Sequence, residues 1–268
     1  MKLAVTGATG FVGSHFLDAV LAAGHQVTAL TRRPQTPREG VIWVQGDLSD
    51  RVALKQLVEG TDAVVHIAGI LTAIDQAAFQ AGNVDGTLSV LAAATASGAH
   101  RFVFVSSLAA REPGLSMYGA SKAKAEELIA RSGLDWVVIR PPAVYGTGDR
   151  EMLELFKMAR LGMLLMPPPG RFSIIHADDL ARLLLALVAA DAPTKLVIEP
   201  DDGRPNGWSH REFAGALGRA VGSDPLVLST PAPLLKVAAR ADKLLRGARA
   251  KLTPDRAAYF GHENWVVD

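Results

Sequence analysis

Tyr118 and Lys122 stand four residues apart in the stretch MYGASKAKAEELI, so a helix there carries both on one face, about a turn apart. A free phenol with a pKa near ~10 keeps its proton at neutral pH, and a tyrosine that exchanges protons with a substrate needs a nearby positive charge to stabilise its phenolate. Lys122 is placed to supply it. Upstream, the run FVFVSS closes on Ser106 and Ser107, where a hydroxyl can reach a substrate oxygen beside the phenol. Ser107, Tyr118 and Lys122 together suit the interconversion of an alcohol and a carbonyl while a nicotinamide takes or gives hydride. Taken singly, Ser107 is also readable as a strand-end hydroxyl that caps a loop.

Such chemistry needs a seat for a dinucleotide. In AVTGATGFVGSHFL, Gly7, Gly10 and Gly13 are spaced three apart between an apolar run and a segment of helical periodicity. A strand that turns into a helix through such a loop leaves free N–H groups at the helix N-terminus, where the dipole favours a phosphate.

The elements that must position these residues follow from the pattern. β-Branched runs at residues 2–6, 26–31, 41–45, 63–67, 101–106 and 136–140 alternate with helical segments at 13–23, 51–58, 75–97 and 118–132. AVVHIA and FVFVS are apolar at consecutive positions, which predicts strands buried on both faces. The fold class is therefore α/β, a doubly wound parallel (Rossmann) sheet with a small C-terminal substrate-binding cap. Residues 1–148 read as the dinucleotide-binding domain and 149–268 as the cap, with segments around 171–200 returning to the first domain. The second half predicts helices at 151–160, 177–189 and 231–246, strands at 172–175 and 195–199, and a capping box from Ser209 to Glu212.

In an open parallel sheet the ligand crevice lies at the carboxyl ends of the strands. There this chain places the glycine loop, Thr31-Arg32-Arg33, Gly46-Asp47-Leu48 and Ala68-Gly69. An arginine after the second strand suits the 2′-phosphate of NADP(H), where an acidic residue would suit NAD(H). The alternative is a solvated loop tip for Arg32 and Arg33. Asp47 reads either as support for the adenine edge or as the cap of the next helix.

Bulk composition narrows the function classes. Lysine and arginine total 28 against 27 acidic residues, so no global charge points to nucleic acid or a membrane surface. The absence of cysteine excludes disulfides, thiolate metal sites and a cysteine nucleophile. The first apolar run breaks at Thr6-Gly7, too early for a signal-peptide core, and no later run approaches membrane-span length. A soluble cytoplasmic protein is expected. His66, His100 and His176 have no metal-binding spacing, and no metal site is expected.

With these residues in view, the chain resembles the short-chain dehydrogenase/reductase superfamily in its extended or atypical epimerase-like branch. The resemblance rests on TGATGFVG, GDL, HIAG, NVDGT, VSS, YGASK, RPPAVYG and HADDLA, in that order, and covers about residues 1–190. It implies a cofactor-contact set of Gly7, Thr9, Gly10, Phe11, Val12, Gly13, Arg32, Arg33, Asp47, Leu48, Ala68, Gly69, Asn83, Ser106, Lys122, Pro141 and Val144. It makes Tyr118 the general acid/base, Lys122 the residue that lowers its pKa and holds the nicotinamide ribose, and Ser107 the hydrogen-bond partner of the substrate oxygen. Asn83 would organise the active-site end of its helix, and a homodimer through helices 75–97 and 118–132 is implied. Two departures matter. Leu108-Ala109 stand after Ser107 where sugar-nucleotide dehydratases carry acidic residues, and the interval from Ser107 to Tyr118 is shorter than in sugar epimerases. The expected activity is NADP(H)-dependent oxidation–reduction or epimerisation of a small carbonyl or alcohol. Competing readings are a non-catalytic NADPH-binding sensor or assembly factor, and an NAD-dependent nucleotide-sugar epimerase. Met152, Phe156, Met163, Leu164 and Met166 either line a hydrophobic substrate site or pack the cap.

Overall fold

Strand and helix alternate from the first residues of the chain, in a computed structural model that describes residues 1–247, 250 and 252–268. The order is β1 (Lys2–Thr6), α1 (Phe11–Ala22), β2 (Gln26–Thr31), β3 (Val41–Gln45), α2 (Arg51–Val58), β4 (Ala63–His66), α3 (Gln76–Phe79), a π-helical turn (Gln80–Asp85), α4 (Gly86–Ser97) and β5 (Arg101–Val105). A 3₁₀ turn (Leu108–Arg111), α5 (Met117–Ala130), β6 (Asp135–Ile139) and β7 (Ala143–Tyr145) follow. Then come α6 (Arg150–Arg160), β8 (Met163–Met166), β9 (Arg171–Phe172), β10 (Ile174–His176), α7 (Ala177–Leu187) and β11 (Leu196–Ile198). The chain ends with β12 (Trp208–Ser209), α8 (His210–Val221), β13 (Leu226–Ser229), α9 (Ala232–Arg246), α10 (Pro254–Phe260) and β14 (Asn264–Trp265).

Seven strands form one parallel sheet in the order β11-β6-β5-β4-β1-β2-β3. Alternation along each strand sends successive side chains to opposite faces. Leu3 and Val5 of β1 thus join Phe16, Leu180 and Leu184 under α1 and α7, while Ala4 joins Leu54, Leu57, Val90 and Ile129 under α2, α4 and α5. The sheet is covered on both faces, as its unbroken apolar strands require. Because β1 neighbours both β2 and β4, the chain reverses direction across the sheet at β1, and the crevice opens at the end of that strand.

The cap has its own small core of Ala159, Leu164, Met166, Phe213 and Leu217, built from α6, α8 and the parallel pair β8–β13. Residues 76–97 form one continuous helical run, as expected, with a π-helical turn at Gln80–Asp85 set into it. One expectation needs correction. Residues 172–175 are not one strand: β9 pairs with β12 and β14, whereas β10 pairs with β7. Buried Ser173 lies between them and donates its hydroxyl to Asp201 (2.8 Å), pinning the change of partner.

Candidate active site

The glycine loop is set by steric necessity. Gly7 has φ +78°, and a Cβ on it would stand 2.6 Å from the Ala68 amide nitrogen, so only glycine lets the end of β1 pack against the end of β4. A Cβ on Gly13 would run into the Gly7 carbonyl oxygen and lie 2.8 Å from Ala8 Cα. Gly10 is the N-cap of α1, no side chain caps that helix, and its first turn holds no acidic residue. The amides of Phe11, Val12 and Gly13 precede the first intrahelical bond, from Ser14 N to Gly10 O at 2.8 Å. Close backbone approach and uncapped donors fit the diphosphate of a dinucleotide. His15 clamps this helix to α7 through Asp178 (2.5 Å) and to the loop after β7 through the Thr147 carbonyl (2.8 Å).

Beyond the loop, Arg32, Gln45, Gly46, Asp47 and Asp50 line a cleft of about 360 Å³ at the ends of β2 and β3. Asp47 does not cap α2. Asp50 does, accepting from the Val52 and Ala53 amides. The Ser49 hydroxyl and amide bond Asp47 instead and, with a smaller contribution from Arg32, hold its carboxyl below the usual range. Arg33 turns the backbone, its carbonyl accepting from Thr31 Oγ1 at 2.7 Å, while its side chain is exposed. Leu48 packs over Gly86, where a Cβ would come within 2.7 Å of Leu48 Cδ1.

At the end of β5, the Ser107 hydroxyl accepts from the Ala109 amide (3.2 Å) and so caps the 3₁₀ turn. Burial pushes the Tyr118 phenol up to about 12, with the nearby Ser107 hydroxyl pulling the other way. Lys122 is buried, donates to the Val105 carbonyl (2.8 Å) and stands 4.5 Å from the Phe104 ring centre. Burial brings its ammonium down to about 8, opposed by the charge of Glu126. A Cβ on Gly69 would stand 3.3 Å from Lys122 Nζ and 3.2 Å from Asn83 Oδ1, so the end of β4 lies directly against both groups. Asn83 accepts from Ile70 N (2.8 Å) and donates to Ile70 O (3.1 Å) and Ser121 Oγ (2.9 Å). The π-helical turn holds Asn83, and such turns recur where a side chain must be re-aimed.

Ser106 departs from its expected place. Its hydroxyl donates to Glu126 rather than opening onto the cleft. From Glu126 a chain of partly buried charges runs to Arg140 (2.7 Å), Glu199 (3.1 Å) and Arg111 (3.4 Å), and Arg111 donates to the Val266 carbonyl (2.9 Å). Removing one member would leave a partner charge uncompensated, so Arg140→Ala should cost about 3–5 kcal/mol in a urea melt. Pro141 fixes the loop after β6, its carbonyl accepting from Leu108 N at 2.9 Å, and Val144 lies in β7 opposite Ile175. His66 is fully buried between Thr6 (2.6 Å) and Thr87 (3.0 Å), and burial holds it neutral, near a pKa of about 3. Among the described residues no three acidic or histidine side chains converge as metal ligands would.

Several neighbours of Tyr118 have no signal in the sequence. Leu115, Tyr259 and Trp265 pack with it in one cluster, and Phe79 lies 6.1 Å away ring to ring. Asp255 accepts from the Met117 amide, so α10 holds the first turn of α5 across 138 residues of sequence. The cap side chains resolve differently: Leu164 and Met166 are buried in the cap core, Met152 and Phe156 pack on it, and Met163 faces outward.

The model of the NAD dependent epimerase/dehydratase family matches residues 3–198. A ceramide reductase of Caulobacter vibrioides is 36% identical over 241 residues, spanning 86% of this chain and 74% of the relative. A 4-hydroxy-2-methyl-3-oxo-4-farnesyl-3,4-dihydroquinoline-1-oxide ketoreductase of Stigmatella aurantiaca is 31% identical, over 76% of this chain and 69% of its own. Among solved structures, the Bordetella bronchiseptica enzyme WbmH in complex with NAD+ superposes with a TM-score of 0.73 at 23% identity, over 85% of each chain. The family match spans the glycine loop, the Ser107–Tyr118–Lys122 group and the last strand of the central sheet, and the chain belongs to the NAD dependent epimerase/dehydratase family, as an NAD(P)-dependent oxidoreductase or epimerase of the short-chain dehydrogenase/reductase type.

Proposed function

We propose that the protein is an NADP(H)-dependent reductase of a hydrophobic carbonyl compound, with Ser107, Tyr118 and Lys122 as its proton-handling group. The observation that carries the reading is the grouping of Ser107, Tyr118 and buried Lys122 where β4 and β5 end. A phenol there, pushed up to about 12 by burial, keeps its proton at neutral pH, as a free phenol does, and can donate it to a carbonyl oxygen. Bound nicotinamide supplies the hydride. Ser107 holds the carbonyl oxygen, Tyr118 Oη gives it a proton, and Lys122, charged below about pH 8, stabilises the phenolate left behind. Apolar surroundings support the substrate class. Phe79 lies beside the Tyr118 ring, Leu115, Tyr259 and Trp265 belong to the apolar cluster it packs in, and Leu71 and Ile74 are exposed on the loop that leaves Gly69. The two relatives named above carry the names of a ceramide and a farnesylated quinoline oxide, both with long apolar parts.

The test is a panel of long-chain ketones and 3-oxo amides with NADPH, set beside UDP-sugars with NAD+. Turnover of the apolar ketones supports the reading. Turnover of UDP-sugars alone would favour the epimerase, and tight NADPH binding with no turnover would favour the sensor. Cofactor preference rests on Arg32 at the 2′-phosphate end. Since a hydrogen bond to a charged group contributes about 1.5–3 kcal/mol, NADPH should bind roughly tenfold or more tightly than NADH, and Arg32→Ala should erase the difference in a fluorescence titration. Equal affinities in the wild type would rule it out. A homodimer through α4 and α5 belongs to the same reading; those helices bury one face on the sheet and leave Leu88, Ala92 and Ala96 outward, and light scattering should give twice the chain mass.

A further inference from the structure

The helix α9 buries only a narrow edge. Leu235 and Ala239 pack with Ala257 of α10, whereas Leu234, Val237, Leu244 and Leu245 are 59%, 61%, 86% and 83% exposed. At 100° per residue these four fall, with exposed Ala238 and Ala241, on one arc of the helix that holds no polar residue. Exposed Arg240, with Lys236 beyond it, borders one edge of that arc, and Asp242, paired with Arg246, borders the other. Just before α9, β13 pairs with β8 in a register that sets Leu226 opposite Met163 and Leu228 opposite Leu165, and all four side chains are exposed. Their alternating neighbours Leu164 and Met166 fill the cap core, so the outer face of this ladder is apolar as well. A surface of this kind on a monomer marks an interaction site.

The charge distribution identifies the partner. Residues 226–252 hold six basic side chains and one acidic one, in a chain whose totals are 28 and 27. A second copy docking face to face would bring two such segments together against their mutual repulsion. An anionic surface attracts them, and an apolar arc with cations along one edge suits a helix lying in a lipid headgroup layer. Among the described residues no helix is long and apolar enough to cross a membrane, which leaves interfacial binding as the mode. We propose that α9, with the outer face of β8 and β13, docks this protein onto anionic lipid bilayers. The inference does not depend on the reductase reading, but it would bring a hydrophobic substrate close to the site: α9 packs on α10, and α10 carries Tyr259 and Asp255 to Tyr118 and Met117.

The experiment is co-sedimentation of the full chain with vesicles of phosphatidylcholine alone and with phosphatidylglycerol added. The wild type should sediment with the mixed vesicles, release as salt rises, and bind the neutral ones far less. The double variant Leu244→Glu/Leu245→Glu should lose about tenfold or more in partitioning. Its melting temperature and NADPH affinity should match the wild type, because neither side chain belongs to a buried cluster. Three results would overturn the proposal: wild type left in the supernatant with anionic vesicles, unchanged binding by the double variant, or a dimer that the double variant dissolves while vesicles remain unbound.

Discussion

Tyr118→Phe should lower NADPH-dependent carbonyl reduction by ~10²–10⁴-fold, the range for loss of a general acid, while NADPH affinity and melting temperature stay at wild-type values. The substitution removes one oxygen and keeps the ring that packs with Leu115, Tyr259 and Trp265. The loss should appear in kcat rather than in KM, since the proton is needed only as charge develops on the carbonyl oxygen. The pH dependence follows from the two groups. Reduction needs Tyr118 protonated, which holds up to about 12, and Lys122 charged, which holds up to about 8. The rate should therefore be level through neutral pH and fall above about pH 8, as the ammonium gives up its proton. Lys122→Met should remove that alkaline limb and lower the rate at every pH. Full activity in Tyr118→Phe would show that the proton comes from elsewhere, with Ser107 the next group to test.

Much of this site could be read directly from the sequence because its parts are local or lie at strand ends. Tyr118 and Lys122 share a helical face by spacing alone, and Gly7, Gly10 and Gly13 announce a close backbone approach whatever packs behind them. The seven-stranded sheet was legible for a similar reason: runs such as AVVHIA have no polar face to turn to water. What escaped depends on long-range contacts. Nothing near Ser106 indicates that its hydroxyl turns to Glu126, because that depends on Arg140 and Glu199 arriving from two other strands. The π-helical turn at Asn83 follows from hydrogen bonds to Ile70 and Ser121, neither adjacent in sequence. Tyr259 and Asp255 reach Tyr118 and Met117 from the far end of the chain. Whole-chain charge balance also conceals the basic, leucine-rich stretch around α9, because acidic residues elsewhere offset it.

Gly13→Ala should cut NADPH affinity by roughly 100-fold or more and destabilise the fold by about 1–3 kcal/mol. The reason is steric. The added methyl would meet the Gly7 carbonyl oxygen, the Gly7 carbonyl carbon at 2.7 Å and Ala8 Cα at 2.8 Å, all backbone atoms that cannot swing aside. Either α1 moves away from the loop or the loop moves away from Ala68. Both shifts displace the Phe11, Val12 and Gly13 amides from the diphosphate, where each hydrogen bond to charge contributes about 1.5–3 kcal/mol. Gly98→Ala separates this effect from the other use of glycine in the chain. Gly98 ends α4 at φ +75° with nothing within 4 Å of an added methyl, so its substitution strains the backbone by about 1–2 kcal/mol without touching the cleft. The two variants should thus melt at similar temperatures and differ by two orders of magnitude in NADPH titrations. Similar affinities in both would place the diphosphate away from the N-terminus of α1, since only a cofactor seated on those amides feels the difference between a crowded glycine and a strained one.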